Sequence, residues 1–343
     1  MSIPINNYID PAIFDEELEK VFSRQMFIAH QNDIPAADDY YSFRAGKRSY
    51  TLRNIGAQNR LLDNVCRHRF NLIDPPGFGN RKFRCGYHGW TYDADGGASF
   101  IPLRNTFKNL PDDIRLTSAP HEDIHGFQFL MQADPARRQT VARLLTQMGT
   151  PAGGHFFRGE IRHQCNWKLI VENVLDSYHV SFVHASTFSK AGYSSTGRVE
   201  PVPLNSEYDT AVTHYPDEAS AKQMLRIVRN ITPAYRHLHI FPNLFLSIGS
   251  ELVYYVANVM PVSTNESVLH YRLYPTEKML ALTPGLRDSF MQSAIDLTAQ
   301  TLEEDRLMLE SNQIGLLSAQ GAYTLCENEL RIRHFHDAYR RFL

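Results

Sequence analysis

Hydrophobic and polar residues alternate between about Met26 and Gln132, as in the stretch Tyr41-Ser-Phe-Arg. Turn-forming residues interrupt this alternation at Pro75-Pro-Gly, Gly79-Asn and Asp95-Gly-Gly. A period of two is typical of strands that bury one face, and Gly, Pro and Asn are typical of the turns that join them. The pattern therefore predicts a small β domain over residues 26–132.

Helical spacing of apolar residues occurs near both ends of the chain. Asp10-Pro11 is a typical helix start, and a helix within residues 1–25 is expected to pack with the C-terminal part of the chain. Between Leu286 and Asn312, apolar residues recur every three or four positions with no Pro or Gly among them. This second pattern predicts a long helix.

The remaining sequence divides into a connector and a second domain. Residues 133–160 contain a short helical stretch around 141–145 followed by the glycine-rich run Gly149–Gly154, and are expected to connect the two domains. In residues 161–343, alternating runs between 211 and 274 predict antiparallel strands. The chain is therefore expected to be an α+β protein.

Composition and charge exclude several classes of protein. With 343 residues, 43% of them hydrophobic, the chain can form two ordinary cores. A net charge of -2 without a long basic run gives no electrostatic footprint for nucleic acid. No apolar stretch approaches the roughly 18 residues of a membrane span, and no signal peptide is evident, so a cytoplasmic location is expected. Four cysteines do not make a disulfide scaffold.

The stretch from Asn173 to His184 is a candidate metal site. Asn173, Asp176 and His179 follow at intervals of three, which would place them on one face of a helix. His184 lies five residues after His179, so both imidazoles can meet one ion only if the helix ends or bulges between them. Two imidazoles and one carboxylate would complete the facial triad of non-haem Fe(II) oxygenases, which leaves positions free for dioxygen.

Asp305 is the candidate carboxylate, because it lies on the apolar stripe of the predicted Leu286–Asn312 helix. An ionised carboxylate on a buried face must be paired or ligated. Glu303, Glu304 and Arg306 fall outside the stripe and are expected to be solvated. A buried ion pair, or a helix rotated slightly from this register, would explain Asp305 equally well.

A second candidate site combines two pairs of cysteine and histidine, Cys66 with His68 and Cys85 with His88. Such pairs on adjacent loops suit a [2Fe–2S] centre in which thiolates hold one iron and imidazoles the other. A structural zinc site accepts the same ligands. The order favours the cluster, because zinc fingers usually pair Cys with Cys and His with His, whereas each loop here supplies one of each.

These motifs bear a family resemblance. Cys66-Arg-His-Arg with Cys85-Gly-Tyr-His-Gly-Trp, and the N-x-x-D-x-x-H-x-x-x-x-H stretch from Asn173 to His184, resemble the two iron motifs of Rieske non-haem iron oxygenase α subunits. The resemblance covers essentially the whole chain. It implies an N-terminal Rieske [2Fe–2S] domain over 26–132 and a C-terminal helix-grip (START-like) catalytic domain with an antiparallel sheet over 161–343. Phe70 departs from the family, in which glycine is common at that position.

The resemblance also implies cofactors and partners. Cys66, His68, Cys85 and His88 would hold one [2Fe–2S] cluster, and His179, His184 and Asp305 would hold one mononuclear Fe(II). Electrons would cross between the subunits of a homotrimer, with Asp176 bridging His179 to His88 of the partner subunit. The chain has no nucleotide-binding fingerprint, so a ferredoxin or flavin reductase would supply electrons from NAD(P)H.

The expected function is that of a terminal oxygenase. It would use O₂ to hydroxylate, cis-dihydroxylate or oxidatively demethylate a small aromatic substrate, with Asp176 and Asn173 assisting at the iron. The alternatives are a Rieske-type electron carrier without oxygenase activity and, more distantly, a zinc-stabilised binding module. Tyr178 and Phe182 are expected either to flank the substrate pocket or to pack in the core. Surface or core roles are expected for His237, His239, His334 and His336.

Overall fold

The computed structural model describes residues 2–56, 58–132, 134–204, 206–321 and 324–343. The chain divides into two compact units, one of residues 17–138 and one of residues 1–16 with 139–343. The N-terminal segment forms a short 3₁₀ turn at Ile5–Tyr8, helix α1 at Pro11–Glu17 and a π-helical turn at Leu18–Phe22. The helix expected within residues 1–25 therefore crosses the division between the units.

The unit of residues 17–138 is built from short antiparallel strands. They are β1 (Gln25–His30), β2 (Asp39–Ala45), β3 (Arg48–Asn54), β4 (Asn59–Asp63), β5 (Gly77–Asn80), β6 (Thr91–Tyr92), β7 (Ala98–Phe100), β8 (His121–Ile124) and β9 (Phe127–Met131). The sheet orders are β4-β3-β2-β5, β1-β9-β8 and β6-β7. Cys66 and Cys85 lie in a core with Trp90 and Tyr92. The predicted β domain is present.

The turn predicted at Gly79-Asn is wrong, because both residues lie in β5. Gly79 pairs with Tyr40 of β2. A Cβ atom on Gly79 would lie 2.5 Å from the Tyr40 hydroxyl oxygen. The glycine is thus explained by the close approach of a cross-strand aromatic ring, which glycine permits as readily as it permits a turn.

The second unit contains one seven-stranded antiparallel sheet of order β10-β16-β15-β14-β13-β12-β11. Its strands are β10 (Phe157–His163), β11 (Val199–Val202), β12 (Thr210–His214), β13 (Tyr235–Ile240), β14 (Leu244–Gly249), β15 (Val253–Ser263) and β16 (Glu266–Pro275). The strands predicted between 211 and 274 are confirmed as β12–β16. Strand β10 begins at Phe157, inside the stretch 133–160 that is expected to connect the two domains.

Helices accompany this sheet along the chain. They are α2 (Pro135–Met148), α3 (Trp167–Leu175), α4 (Val180–Val183), α5 (Glu218–Ile227), α6 (Glu277–Leu280), α7 (Pro284–Leu316) and α8 (Leu330–Phe342). The predicted long helix is confirmed as α7, which extends four residues further than expected at its C-terminal end. Within the described ranges, no helix has both the length and the apolar character that a bilayer crossing requires.

One face of the seven-stranded sheet is covered by α8. His237 and His239 of β13 lie on this face, because residues two apart in a strand point to the same side. The ring of Phe335 in α8 lies 6.0 Å from the ring of His239, and the Arg331 guanidinium lies 2.7 Å from His237 Nδ1. The face that carries His237 and His239 is hereafter called the inner face of the sheet.

Candidate metal centres

The side chains of His179, His184 and Asp305 converge on one point. His184 Nε2 lies 3.2 Å from His179 Nε2 and 3.1 Å from Asp305 Oδ1, while His179 Nε2 lies 3.7 Å from Asp305 Oδ1. Neighbouring ligands at bond lengths of about 2.1 Å around a six-coordinate ion are separated by about 3 Å. The three donor atoms therefore fit one face of a metal coordination sphere, and among the described residues they form the one such group.

The backbone from Asn173 to His179 differs from the expectation. Asn173, Asp176 and His179 do not share a helical face, because α3 ends at Leu175 and Asp176 has an extended backbone (φ −82°, ψ 129°). The Asp176 carboxylate accepts hydrogen bonds from the Tyr178 backbone N–H (2.5 Å) and lies 2.9 Å from His179 Nδ1. A short polar side chain that binds the local backbone in this way competes with helix continuation. The helix therefore breaks before His179, and the short helix α4 then ends at Val183, so the helix end expected between the two histidines is also present.

Asp305 lies on the buried stripe of α7 with Leu302 and Leu309, as the hydrophobic period predicts. Asn173, in the last turn of α3, donates a hydrogen bond from Nδ2 to Asp305 Oδ1 at 3.2 Å. Asn173 therefore contacts the candidate carboxylate ligand and can fix its orientation.

Glu304 is not solvated as expected, and this prediction is wrong. Its Oε2 lies 2.8 Å from His184 Nδ1 and accepts from Thr187 Oγ1, also at 2.8 Å. Its Oε1 accepts from Ser186 Oγ at 2.6 Å and from Gln300 Nε2 at 3.1 Å. Burial opposes ionisation, but these hydrogen bonds outweigh it and lower the pKa of the Glu304 carboxyl. Glu304 was missed because its partner His184 is 120 residues away in sequence.

Each imidazole of the site thus has a carboxylate within hydrogen-bonding distance of its Nδ1 atom. Asp176 holds Nδ1 of His179, and Glu304 holds Nδ1 of His184. A carboxylate that accepts from Nδ1–H fixes the tautomer in which Nε2 presents its lone pair, and it makes that nitrogen a better ligand. The arrangement suits two neutral histidines that bind a cation through Nε2.

In the other unit, the two cysteines and the two histidines of the motif differ in burial. Cys66 and Cys85 are buried, whereas His68 is half-buried and His88 is exposed. Burial raises the pKa of the Cys66 thiol, although the hydroxyl of Tyr92, 3.2 Å from Cys66 Sγ, lowers it. Nδ1 of His68 is buried without a hydrogen-bond partner in the described part of the chain. A buried lone pair of this kind fits a metal ligand.

The spacing of these donors distinguishes a cluster from a zinc ion. Among the residues that the structure describes, no three of the four bring their donor atoms as close together as His179, His184 and Asp305 do. A single zinc ion needs all four donors around one point. A two-iron cluster instead places its thiolates on one iron and its imidazoles on the other, and the observed separation agrees with this.

Phe70 follows the cluster loop in an unusual conformation. Its φ is +58° and its side chain is 74% exposed. Its backbone N–H donates to the Cys66 carbonyl oxygen at 3.0 Å, which closes the loop that carries His68. Phenylalanine therefore adopts here the left-handed backbone that glycine adopts without strain.

The other candidate residues are either exposed or buried in the core. Tyr178 and Phe182 are 51% and 73% exposed, so the expectation that they pack in the core is wrong. His336 is buried, with its Nε2 2.9 Å from Glu172. His239 is also buried, and burial lowers its pKa to about 3. These two histidines have core roles, as expected.

Two family models match the chain. The ring hydroxylating alpha subunit (catalytic domain) matches residues 154–343, and the Rieske [2Fe-2S] domain matches residues 24–111. The chain is 33% identical over 199 residues to the large oxygenase component of a 2,4-dinitrotoluene dioxygenase system from Burkholderia sp. (strain RASC). That match covers 52% of this chain and 43% of that protein, so the chain spans less than half the length of this relative.

Two further comparisons extend over nearly the whole chain. A choline monooxygenase of chloroplasts from Beta vulgaris is 24% identical over 353 residues, which covers 97% of this chain and 75% of that protein. A crystal structure of the quaternary ammonium Rieske monooxygenase CntA superposes with a TM-score of 0.80 at 19% identity, covering 99% of this chain and 95% of that one. The latter likeness shows the fold, and it confirms the α+β class with a Rieske domain and an antiparallel catalytic sheet.

The match to the catalytic-domain model covers more than half of the 343 residues. Rieske domains bind a [2Fe–2S] cluster. The catalytic domain of Rieske oxygenases binds a mononuclear iron, for which the described residues supply a fitting donor set. The chain belongs to the ring-hydroxylating α-subunit family of Rieske non-haem iron oxygenases.

Proposed function

We propose that this chain is a terminal oxygenase that uses O₂ and electrons from a separate ferredoxin or flavin reductase. The observation that carries the proposal is the convergence of His179, His184 and Asp305 in a chain that also carries a Rieske domain. The reaction proposed is hydroxylation, cis-dihydroxylation or oxidative demethylation of a small aromatic molecule. Similar proteins include a toluate 1,2-dioxygenase subunit and an N,N-dimethyl phenylurea N-demethylase subunit.

Each residue of the metal site has a proposed role. His179, His184 and Asp305 hold the metal. Fe(II) bound by two imidazoles and one carboxylate supplies the activation of dioxygen, because it retains open positions. Asp176 keeps the Nδ1 proton on His179, and Asn173 orients the Asp305 carboxylate through its hydrogen bond.

The second part of the proposal concerns electron delivery. Cys66, Cys85, His68 and His88 hold the cluster, which receives electrons originating from NAD(P)H through the partner reductase. Copies of the chain form a homotrimer in which Asp176 accepts from His179 and from His88 of the partner subunit. Support comes from the 15% exposed side chain of Asp176 and from the exposure of His88. A cytoplasmic location remains a prediction.

The metal content of anaerobically purified protein tests the proposal. One cluster and one mononuclear ion require about three irons and about two acid-labile sulfides per chain. About two irons, with no more Fe(II) bound on reconstitution, would instead indicate the electron carrier and defeat the oxygenase proposal. Consumption of O₂ coupled to substrate, measured on the reconstituted protein, checks the activity itself.

Replacing Glu304 tests how the site is held together. Glu304→Gln keeps a hydrogen-bond acceptor for His184 but removes the charge, and we expect metal binding to weaken by about 10- to 100-fold. Titration of the iron-depleted mononuclear site with Co(II), followed by visible absorbance, measures this affinity. Glu303→Gln is the matched control, because Glu303 is the neighbouring acid and pairs with Arg306 outside the site. Equal affinities in the two variants would contradict the role of Glu304.

A further inference from the structure

Arg331 lies near the start of α8, and its guanidinium reaches the inner face of the sheet. Nη2 lies 2.7 Å from His237 Nδ1, and Nε donates to Thr210 Oγ1 at 3.2 Å. The side chain is half-buried, yet burial lowers the pKa of the guanidinium to about 9. Part of the guanidinium surface therefore stays accessible beside the inner face of the sheet. The accessible space bordered by Arg331 and by the aromatic rings described below is called the chamber.

Among the residues that the structure describes, none supplies a negative charge for this guanidinium. No Asp or Glu contributes to the pKa of Arg331, and the phenol of Tyr235 is the one titratable group that does. None of the residues outside the described ranges is acidic: they are Met1, Ala57, Ala133, Asn205, Ala322 and Tyr323. Buried charges in proteins are normally paired with an opposite charge. The guanidinium retains its charge near neutral pH and has N–H groups left to donate.

The histidines beside Arg331 are neutral and add no second positive charge. Burial lowers the pKa of His237 well below its usual range, so its ring is neutral and Nδ1 accepts from Arg331. Nε2 of His237 is buried without a hydrogen-bond partner in the described part of the chain. Burial also lowers the pKa of His214 to about 4. The chamber therefore carries one positive charge at this end.

Aromatic rings connect this end of the chamber to the metal site. The centroid of the Phe188 ring lies 5.6 Å from that of His184 and 5.6 Å from that of Tyr235. The Tyr235 ring lies 6.4 Å from the ring of His237, the hydrogen-bond partner of Arg331. Burial raises the pKa of Tyr235, Arg331 lowers it and Asp305 raises it, so this phenol lies within electrostatic reach of both ends.

Two more tyrosines complete the aromatic surface. Tyr193 and Tyr255 are half-buried, so part of each side chain stays accessible, and burial raises the pKa of each phenol. The ring of Tyr193 lies 6.0 Å from that of Phe188 and 6.3 Å from that of Tyr235. The faces of these rings offer apolar area to an organic molecule. The chamber thus combines an apolar body with a single cationic end.

We propose that the substrate is a small organic acid whose carboxylate is bound by Arg331, while its body lies along the aromatic chamber towards His179, His184 and Asp305. This inference rests on the proposed oxygenase function and names its substrate class. The planar fork of the guanidinium matches a carboxylate. A single positive charge balances a carboxylate, whereas a phosphate dianion would keep an uncompensated charge in a desolvated chamber. Arg331 is then a residue that determines substrate specificity.

The first test measures binding without turnover. The oxidised holoenzyme, without electron donor, is titrated by calorimetry with benzoate, phenylacetate and 3-phenylpropionate, and with the three corresponding primary amides. At least one acid is expected to bind about tenfold or more tightly than its amide, because a hydrogen bond to a charged partner is stronger. The inference is overturned if no acid of the panel is preferred over its amide.

Variants of Arg331 then assign the preference to this residue. Arg331→Gln is expected to lose about tenfold or more in acid binding and to leave amide binding within about threefold. Arg331→Lys should retain part of the acid preference, because it keeps the charge but not the fork. Arg333→Gln, an exposed arginine on the same helix, should bind as the wild type does. An acid preference that survives in Arg331→Gln would overturn the inference.

A stability measurement separates binding from a merely structural role. Without ligand, Arg331→Met is expected to raise the Tm by about 2 °C or more, because it removes a desolvated charge that has no counter-ion. A lower Tm, together with equal losses of acid and amide binding, would mean that Arg331 shapes the chamber, and would overturn the inference.

Acid binding through Arg331 without O₂ consumption would defeat the oxygenase proposal alone. Oxygenation of neutral aromatics without any acid preference would defeat this inference alone.

Discussion

Replacing His179 with alanine is expected to remove the mononuclear iron while leaving the cluster intact. The substitution takes one of three donor atoms that lie 3.1 to 3.7 Å apart and leaves the Asp176 carboxylate without the imidazole that it holds. Loss of a residue that is hydrogen-bonded to a metal ligand already lowers the metal affinity by about 10- to 100-fold. Loss of the ligand itself should cost more, and product formation should fall to background.

The measurement is iron per chain together with the visible absorbance and the electron paramagnetic resonance signal of the cluster. Iron should fall from about three to about two per chain with the cluster signals unchanged. His334→Ala is a suitable control, because His334 lies on α8 and has no proposed role at either metal. Full iron retention in the His179 variant would remove His179 from the ligand set.

Replacing Asp176 with asparagine is expected to leave both metal centres occupied but to block electron transfer between them. The amide oxygen can still accept from His179 Nδ1, which lies 2.9 Å from the carboxylate in the native chain. What is lost is the negative charge and the ability to accept from two imidazoles at once, since the amide nitrogen only donates. Product formation should therefore fall by about 100-fold or more, with the iron content unchanged.

A single-turnover experiment distinguishes this loss from a loss of substrate binding. Protein reduced with dithionite is mixed with O₂ and substrate, and reoxidation of the cluster is followed by absorbance beside product formation. In the Asp176 variant the cluster should stay reduced while substrate binds normally. Asp296→Asn, an exposed acid of α7 bonded to Gln292, should behave as the wild type. A normal rate of reoxidation would remove the bridging role.

Local patterns predicted a large part of this protein correctly. The alternation around Tyr41 and the period through Leu302 and Leu309 are properties of neighbouring residues, so they can be recognised before the fold is known. The burial of Asp305 follows from the same stripe. The helix end between His179 and His184 is present at Val183, but the earlier break at Asp176 was not predicted, because periodicity ignores the hydrogen bonds that a short acidic side chain makes to its own backbone.

Contacts between distant segments could not be predicted. Glu304 falls off the apolar stripe, and only the fold shows that His184, Ser186 and Thr187 come to its carboxylate. Arg331 likewise lies in an arginine-rich stretch whose pattern indicates a solvated helix face. Its guanidinium reaches His237, 94 residues away, because α8 covers the inner face of the sheet. Polar residues whose partners come from distant segments do not recur with the period of a helix or a strand, so sequence periodicity does not identify them.

The conformation of Phe70 bears on how members of this family are recognised. The loop after His68 requires a left-handed backbone at this position, and here a bulky side chain satisfies the requirement by pointing away from the protein. In this chain the left-handed dihedral angle is therefore present without a glycine residue. A search pattern that demands glycine after the Cys66-Arg-His-Arg run would discard this chain, whereas one that tolerates any residue able to project outwards there would keep it.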